Sequence, residues 1–192
     1  MCIRDSVSTM SECTVYCSVG LLTPIGSGGS VILPKAGKFD AATFWKDAVK
    51  YKATYYTAVP TIHLMLLARA EEDYPKEDPP PLRFIRSCSA PLAPATLEKL
   101  ERTFGVPVLE AYAMSECNQM CASPLPRRGI RKAGTVGPSS GFIEVCILNV
   151  DNQEVPLGVR GTLGFYCSII LLYRFSLIIN LFAGEICVRG PS

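Results

Sequence analysis

Short apolar runs alternate with amphipathic stretches along the first part of the chain. The runs are rich in β-branched and aromatic side chains, and most of them end at a proline or a polar residue, which predicts strands. These predicted strands cover residues 30–33, 54–59, 82–87 and 106–109.

The segments between the runs repeat apolar side chains at the spacing of a helix. Asp40 can cap a first helix, Pro94 can open a third, running over residues 95–104, and Gly105 can end it. The predicted buried faces of the first two helices are Phe44, Trp45, Ala48 and Val49, and Ile62, Met65, Leu66 and Ala70. The proline-rich segment 72–81 is predicted to be a surface loop.

Alternation of strand and helix predicts a parallel sheet with right-handed crossovers. In such a sheet ligands bind beyond the carboxyl ends of the strands. Segments 59–61, 87–91 and 111–116 all fall at those ends. We therefore expect them to form one shared site.

Beyond residue 134 the pattern changes to short apolar runs separated by glycine and proline. Strands are predicted at 134–137, 143–148 and 185–189, as in a small barrel or sandwich. The fold class predicted for the whole chain is α/β, with a parallel sheet flanked by helices and the start of a small β-barrel subdomain. The predicted division is 1–18, a non-native or divergent N-terminal segment; 19–133, the α/β core; 134–161 and 185–192, the barrel-like part; and 162–184, an apolar insertion.

Charge and cysteine content narrow the classes of partner. The net charge is +2 with acids and bases interspersed, which argues against an electrostatic nucleic-acid binder. Nine cysteines and a single histidine, His63, fit neither a disulfide framework nor a zinc site of standard spacing. Reduced thiols in an intracellular protein are the simplest interpretation.

Two motifs carry the chemistry, and both follow predicted strands. The first is the segment RFIRSCSAPLAP over residues 83–94, and the second is LEAYAMSE over residues 109–116. An aromatic ring, a small hydroxyl and a carboxylate at a strand end can hold a flat base, a phosphate oxygen and a divalent cation. Together the two segments resemble the AMP-forming adenylate ligases, the superfamily of acyl-CoA synthetases, luciferases and peptide-synthetase adenylation domains.

The resemblance implies a role for each motif residue. Tyr112 would stack on adenine, and the backbone of Glu110, Ala111 and Ala113 would line the base. Ser115 would bond the α-phosphate, and Glu116 would bind Mg²⁺. Ser89, Ala90 and Pro91 would face the other side of adenine. Taken singly, Ser115 and Glu116 are more typical of a helix cap.

The segment YTAVPTIH over residues 56–63 resembles a wall of the acyl pocket. It implies Pro60 and His63 as pocket residues, together with Met114 and Gly137, although a lone histidine on an amphipathic helix is more often part of a core. The chain looks closest to the oxalyl-CoA synthetase-like, or peroxisomal acyl-activating, subgroup. The implied substrates are ATP, CoA and a small carboxylate such as oxalate, with Mg²⁺ as cofactor.

The insertion at 162–184 interrupts the resemblance. Its apolar part, 163–183, is long enough for a membrane span, which needs roughly 20 residues, but it contains Arg174. Deleting 162–184 gives VRGEICVRG, which is similar to a continuous barrel strand of acyl-CoA synthetases. We interpret the insertion as a retained in-frame intron, with a membrane segment or a loop insertion as alternatives.

Both ends of the chain are expected to be fragment boundaries. Residues 1–6 resemble translated adapter sequence, and the segment before Gly20 lacks the histidine that the family has there. The phosphate loop would precede the matched part, and the catalytic lysine would follow it. We therefore expect a ligase fragment that is inactive alone, cytoplasmic or peroxisomal. The alternatives are a non-catalytic, membrane-tethered remnant, a peptide-synthetase adenylation domain or a luciferase-like enzyme.

Overall fold

The computed structural model describes most of the first two thirds of the chain and short parts of the remainder. The described residues are 6–8, 17–34, 39–114, 119–125, 131–139, 144–149, 151, 153–154 and 185–189. The predictions for 162–184, for Ser115 and for Glu116 lie outside these residues.

A parallel sheet organises the described residues. Its five strands lie in the order β2-β1-β3-β4-β5, and every neighbouring pair is parallel. The strands are β1 (Ser6–Ser8), β2 (Val31–Ile32), β3 (Tyr55–Ala58), β4 (Phe84–Ser87) and β5 (Val108–Glu110). The predicted α/β class is confirmed. Segment 6–8 supplies a strand inside the sheet, although it lies in the region predicted to be divergent or non-native.

Helices connect these strands along the chain. They are α1 (Cys17–Leu22, a π-helical turn), α2 (Thr23–Gly26), α3 (Ala41–Lys50), α4 (Pro60–Ala68), α5 (Ala70–Asp73) and α6 (Pro94–Phe104). Asp40 caps α3 as predicted, since its Oδ1 accepts a hydrogen bond from Ala42 N at 3.0 Å. Gly105 ends α6 with φ +69°, a left-handed conformation that glycine adopts without strain.

The main core lies between one face of the sheet and helices α3, α4 and α6. Trp45 is 1% exposed and packs against four aromatic rings, those of Phe44, Tyr56, Tyr74 and Phe104, at centroid distances of 4.7–6.0 Å. A smaller cluster of Tyr55, Phe84 and Leu109 covers the opposite face. Because successive strand residues point to opposite faces, both clusters draw on the same strands.

The predicted buried face of α4 is confirmed in part: Leu66 is buried as predicted, but Met65 is not. Met65 is 49% exposed, whereas His63 and Leu67 are buried beside Leu66. The prediction placed the apolar residues inside. The helix instead turns its histidine toward Tyr56 and leaves an apolar methionine outside.

The later strands are two antiparallel pairs. Strands β6 (Tyr112–Met114) and β7 (Gln119–Ala122) pair with each other, as do β8 (Glu144–Leu148) and β9 (Glu185–Arg189). The strands predicted at 143–148 and 185–189 are confirmed. The one predicted at 134–137 is wrong, because that segment is a turn with positive φ at both glycines. Within the described ranges the last two strands form a two-stranded sheet and not a closed barrel.

In the described part of the chain, every helix is too short or too polar to cross a bilayer. The apolar stretch 163–183 lies outside that part.

Candidate functional site

The carboxyl ends of β3, β4 and β5 lie side by side and are joined by backbone hydrogen bonds. Cys88 N donates to Ala58 O at 3.2 Å, and Ala111 N donates to Ser87 O at 2.8 Å. These bonds continue the parallel hydrogen-bond ladder one residue beyond the ends of β4 and β5. The three segments predicted to converge therefore meet at one edge of the sheet.

The loop after β4 presents the small residues of the first motif. Ser89, Ala90 and Pro91 are exposed, whereas Cys88 and Leu92 on either side are buried. Ser89 has φ +71°, a left-handed conformation that costs a non-glycine residue about 1–3 kcal/mol. The loop thus holds three small side chains at the surface in a bent conformation.

Glu110 is the last residue of β5, and its side chain is 7% exposed. Its Oε1 accepts a hydrogen bond from Leu92 N at 3.1 Å, and its Oε2 accepts one from Gly134 N at 3.2 Å. Its carbonyl oxygen accepts from Ser123 Oγ at 3.4 Å. One residue therefore contacts three separate segments of the chain.

The second motif continues from Glu110 into the β6–β7 hairpin. Ala111 is buried, and Tyr112 and Ala113 are partly exposed at the start of β6. Met114 ends β6 in register with Gln119. The structure thus places a partly exposed tyrosine next to the strand end, while Ser115 and Glu116 follow beyond the described part.

Gly137 lies against the polypeptide that follows β7. Its φ is +79°, and a Cβ built on it would lie 2.5 Å from Pro124 N. Ser123 N donates to Pro138 O at 3.1 Å, which fixes the approach of the two segments. Only glycine fits this position, so the turn 134–137 is held close to the β7 end.

The two predicted pocket residues of α4 lie in different environments. Pro60 is the first residue of α4 and is partly exposed. His63 is fully buried, and its Nδ1 lies 3.4 Å from the Tyr56 hydroxyl. Burial lowers the pKa of His63 to about 4, although the nearby Ala58 carbonyl partly opposes this shift. The imidazole is therefore neutral at pH 7.

Sequence reasoning missed two features of the site edge. The Glu110 side chain was not assigned a role, although Glu110 shares its face with Val108 and so had to point into the core side of the sheet. A buried carboxylate needs hydrogen-bond donors, and that need was a usable signal. Ser123 gave no comparable signal, because its partners come from sequence positions far apart.

The comparisons with known proteins agree with this fold. A profile described as the AMP-binding enzyme family matches residues 4–165. An oxalate–CoA ligase of Arabidopsis thaliana is 55% identical over 90% of this chain and 29% of its own length. An oxalate–CoA ligase of Saccharomyces cerevisiae is 45% identical over 73% of this chain and 25% of its own length.

A solved structure shares the fold over most of the chain. ATP-bound MatB from Rhodopseudomonas palustris superimposes with a TM-score of 0.67 at 28% identity, over 82% of this chain and 30% of that one. The chain thus spans under a third of the length of these relatives. The profile match covers well over half of the chain, and the chain therefore belongs to the AMP-binding enzyme family.

Proposed function

We propose that the protein carrying this chain is an AMP-forming carboxylate–CoA ligase that acts on a small acid, with oxalate as the first candidate. The observation that carries the proposal is the 55% identity with a plant oxalate–CoA ligase over 90% of this chain. The convergence of the two motifs at one sheet edge supports it, because that edge is where parallel sheets bind ligands.

The proposed reaction has two displacements. The acid carboxylate attacks the α-phosphate of ATP, which forms an acyl-adenylate and releases pyrophosphate. The thiolate sulfur of CoA then attacks the acyl carbon, a thioester forms, and AMP leaves. The identity with the oxalate–CoA ligases and the ATP-bound structural relative support ATP, CoA and a small acid as the substrates.

The chain would contribute the base and phosphate contacts of the first step. Tyr112 would stack on one face of adenine, with the small side chains of 89–91 on the other, where they leave room for a flat ring. Ser115 would donate to the α-phosphate. Glu116 would bind Mg²⁺, which prefers carboxylate oxygens and offsets phosphate charge. The roles of Ser115 and Glu116 rest on the motif alone.

The acyl pocket would draw on Pro60, His63, Met114 and Gly137. Because His63 is buried and neutral, its part in holding an acid would come from packing or a hydrogen bond and not from positive charge. A cytoplasmic or peroxisomal location stays a prediction.

The proposal is tested by assaying the whole protein with ATP, Mg²⁺, CoA and a panel of small acids. We expect oxalate to give the highest kcat/KM, with equal amounts of AMP, pyrophosphate and oxalyl-CoA formed. Another acid preferred over oxalate would change the substrate assignment. Acid-independent or absent pyrophosphate release would contradict the ligase assignment.

Tyr112 provides a matched pair of variants for the same assay. Stacking of a base on an aromatic ring is worth about 1–3 kcal/mol, so Tyr112→Ala should raise the KM for ATP by about 5- to 160-fold. Tyr112→Phe keeps the ring and should leave that KM near the wild-type value. Equal effects of the two variants would contradict the stacking role.

A further inference from the structure

The side chain of Glu110 joins two segments that are far apart in sequence. Leu92 N belongs to the loop after β4, and Gly134 N belongs to the turn that approaches β7. Each carboxylate oxygen accepts a hydrogen bond from one of these amides, with N···O distances of 3.1 and 3.2 Å. The two oxygens of one carboxylate are separated by a fixed distance, so the two amides are held at a fixed spacing.

These two segments are the ones that carry predicted walls of the site. The Leu92 amide follows directly on Ser89–Pro91, and the Gly134 amide begins the turn that contains Gly137. In the part of the chain that the structure describes, the Glu110 carboxylate makes no ion pair and is held by backbone amides instead. A carboxylate bonded in this way resists displacement, because hydrogen bonds to a charged acceptor are the stronger kind.

Helix α6, which follows the loop after β4, has no side-chain cap at its start. Ala93 is the N-cap residue of α6 and has no side chain that can cap the helix. The bond from Leu92 N to Glu110 lies just ahead of this helix start. Glu110 therefore adds a hydrogen bond at the end of the loop, where the Leu92 side chain packs into the core.

We propose that Glu110 is a positioning residue whose side chain sets the spacing between the 88–92 loop and the 131–139 turn, and so holds the small residues 89–91 in place as one wall of the adenine site. This inference rests on the proposed function, because nucleotide binding at this site is part of that proposal. It assigns to the side chain a role separate from the backbone contact predicted for the same residue.

Glu101 offers a matched control. Its Oε1 accepts a hydrogen bond from Val108 N at 2.8 Å, and it pairs with Arg131. Like Glu110, it accepts a hydrogen bond from a backbone amide and contacts the 131–139 segment. Its contacts do not include the 88–92 loop, so Glu101→Gln disturbs the turn without uncoupling the two walls.

The variant Glu110→Gln breaks the proposed link with little change in volume. A glutamine has one acceptor oxygen and one NH₂ group, so it can satisfy only one of the two amides and sets a donor against the other. The experiment uses the whole protein that carries this chain and measures AMP binding by calorimetry and the hydrogen exchange of the Leu92 and Gly134 amides, with thermal unfolding as the check on folding.

We expect Glu110→Gln to weaken AMP binding about tenfold, as for loss of one hydrogen bond to a charged group, and to speed exchange at Leu92 or Gly134. Glu101→Gln should keep the AMP affinity within about twofold of the wild-type value. The two variants are compared where their unfolding temperatures are similar. Glu110→Asp is the second variant, to be used if Glu110→Gln fails to fold. It keeps the charge but cannot reach both amides, so it should also weaken AMP binding about tenfold.

Equal AMP affinities of the Glu110 and Glu101 variants would overturn the inference and leave the proposed function standing. A whole wild-type protein that binds no AMP would count against the proposed function. In that case the hydrogen-exchange data alone would decide the inference. Hydrogen exchange as slow as in the wild type at both amides of Glu110→Gln would overturn the inference.

Discussion

The aromatic core beneath the sheet and the carboxyl edge of the same sheet are stabilised in different ways. The core around Trp45 is held by packing between rings that come from α3, β3, α6 and the loop before β4. The edge is held by individual hydrogen bonds, among them those that the Leu92 and Gly134 amides donate to the Glu110 carboxylate. Packing spreads its energy over many contacts, whereas the edge depends on a few specific bonds, so the two regions should respond differently to substitution.

The largest effect should come from breaking the core. Trp45→Ala removes a ring that is 1% exposed and leaves a cavity among four aromatic neighbours. We expect the free energy of unfolding to fall by about 3–5 kcal/mol in urea denaturation. Met65→Ala, at a residue that is 49% exposed, is the control and should change it by less than about 0.5 kcal/mol. Similar losses for both variants would show that the core is not packed as described.

A pH titration separates the core from the edge through His63, which is buried against Tyr56. Burial lowers the pKa of His63 to about 4, while an unfolded histidine titrates near 6.5. Between these values the unfolded state binds the proton and the folded state does not. Stability should therefore fall as pH decreases from 6.5 toward 4, by at most about 1.4 kcal/mol per pH unit from this residue.

The measurement is urea denaturation between pH 5 and 7, where most carboxylates stay ionised. His63→Gln has no titrating ring, so its stability should be flatter across this range than that of the wild type. A wild-type curve as flat as that of the variant would mean that His63 is not buried as a neutral ring.

A smaller effect should distinguish two glycines with the same backbone conformation. Gly137 and Gly105 both have positive φ, but a Cβ at Gly137 would lie 2.5 Å from Pro124 N, whereas nothing lies within 4 Å of one at Gly105. Gly105→Ala should cost only the backbone strain, about 1–2 kcal/mol. Gly137→Ala should cost more, because the backbone must also move.

The Gly137 variant also tests whether the 134–137 turn shapes the nucleotide site. We expect Gly137→Ala to weaken AMP binding as well as stability, since the turn 134–137 is bonded to Glu110, while Gly105→Ala should affect stability alone. Thermal unfolding and calorimetry with AMP measure the two effects. Unchanged AMP affinity in both variants would show that the turn does not shape the site.

Much of the fold was predictable because its signals are local. Asp40 as a cap, Pro94 as a helix start and Gly105 as a helix end each act within one turn of the chain, and the structure confirms all three. The parallel order of β3, β4 and β5 followed from helices lying between strands. The buried face of α4 was predicted only in part, because hydrophobicity alone favours Met65 over His63, and the choice depends on the Tyr56 ring that lies opposite.

The amino-acid sequence by itself determined the strand–helix alternation, the position of the motif residues at strand ends and the family to which the chain belongs. These features arise from periodicity, caps and motif order, which are properties of neighbouring residues. Tertiary structure alone decided that Glu110 bonds Leu92 and Gly134, that Gly137 approaches Pro124 and that His63 is neutral. Each of these depends on atoms that are distant along the chain, and only folding brings them within hydrogen-bonding or van der Waals distance.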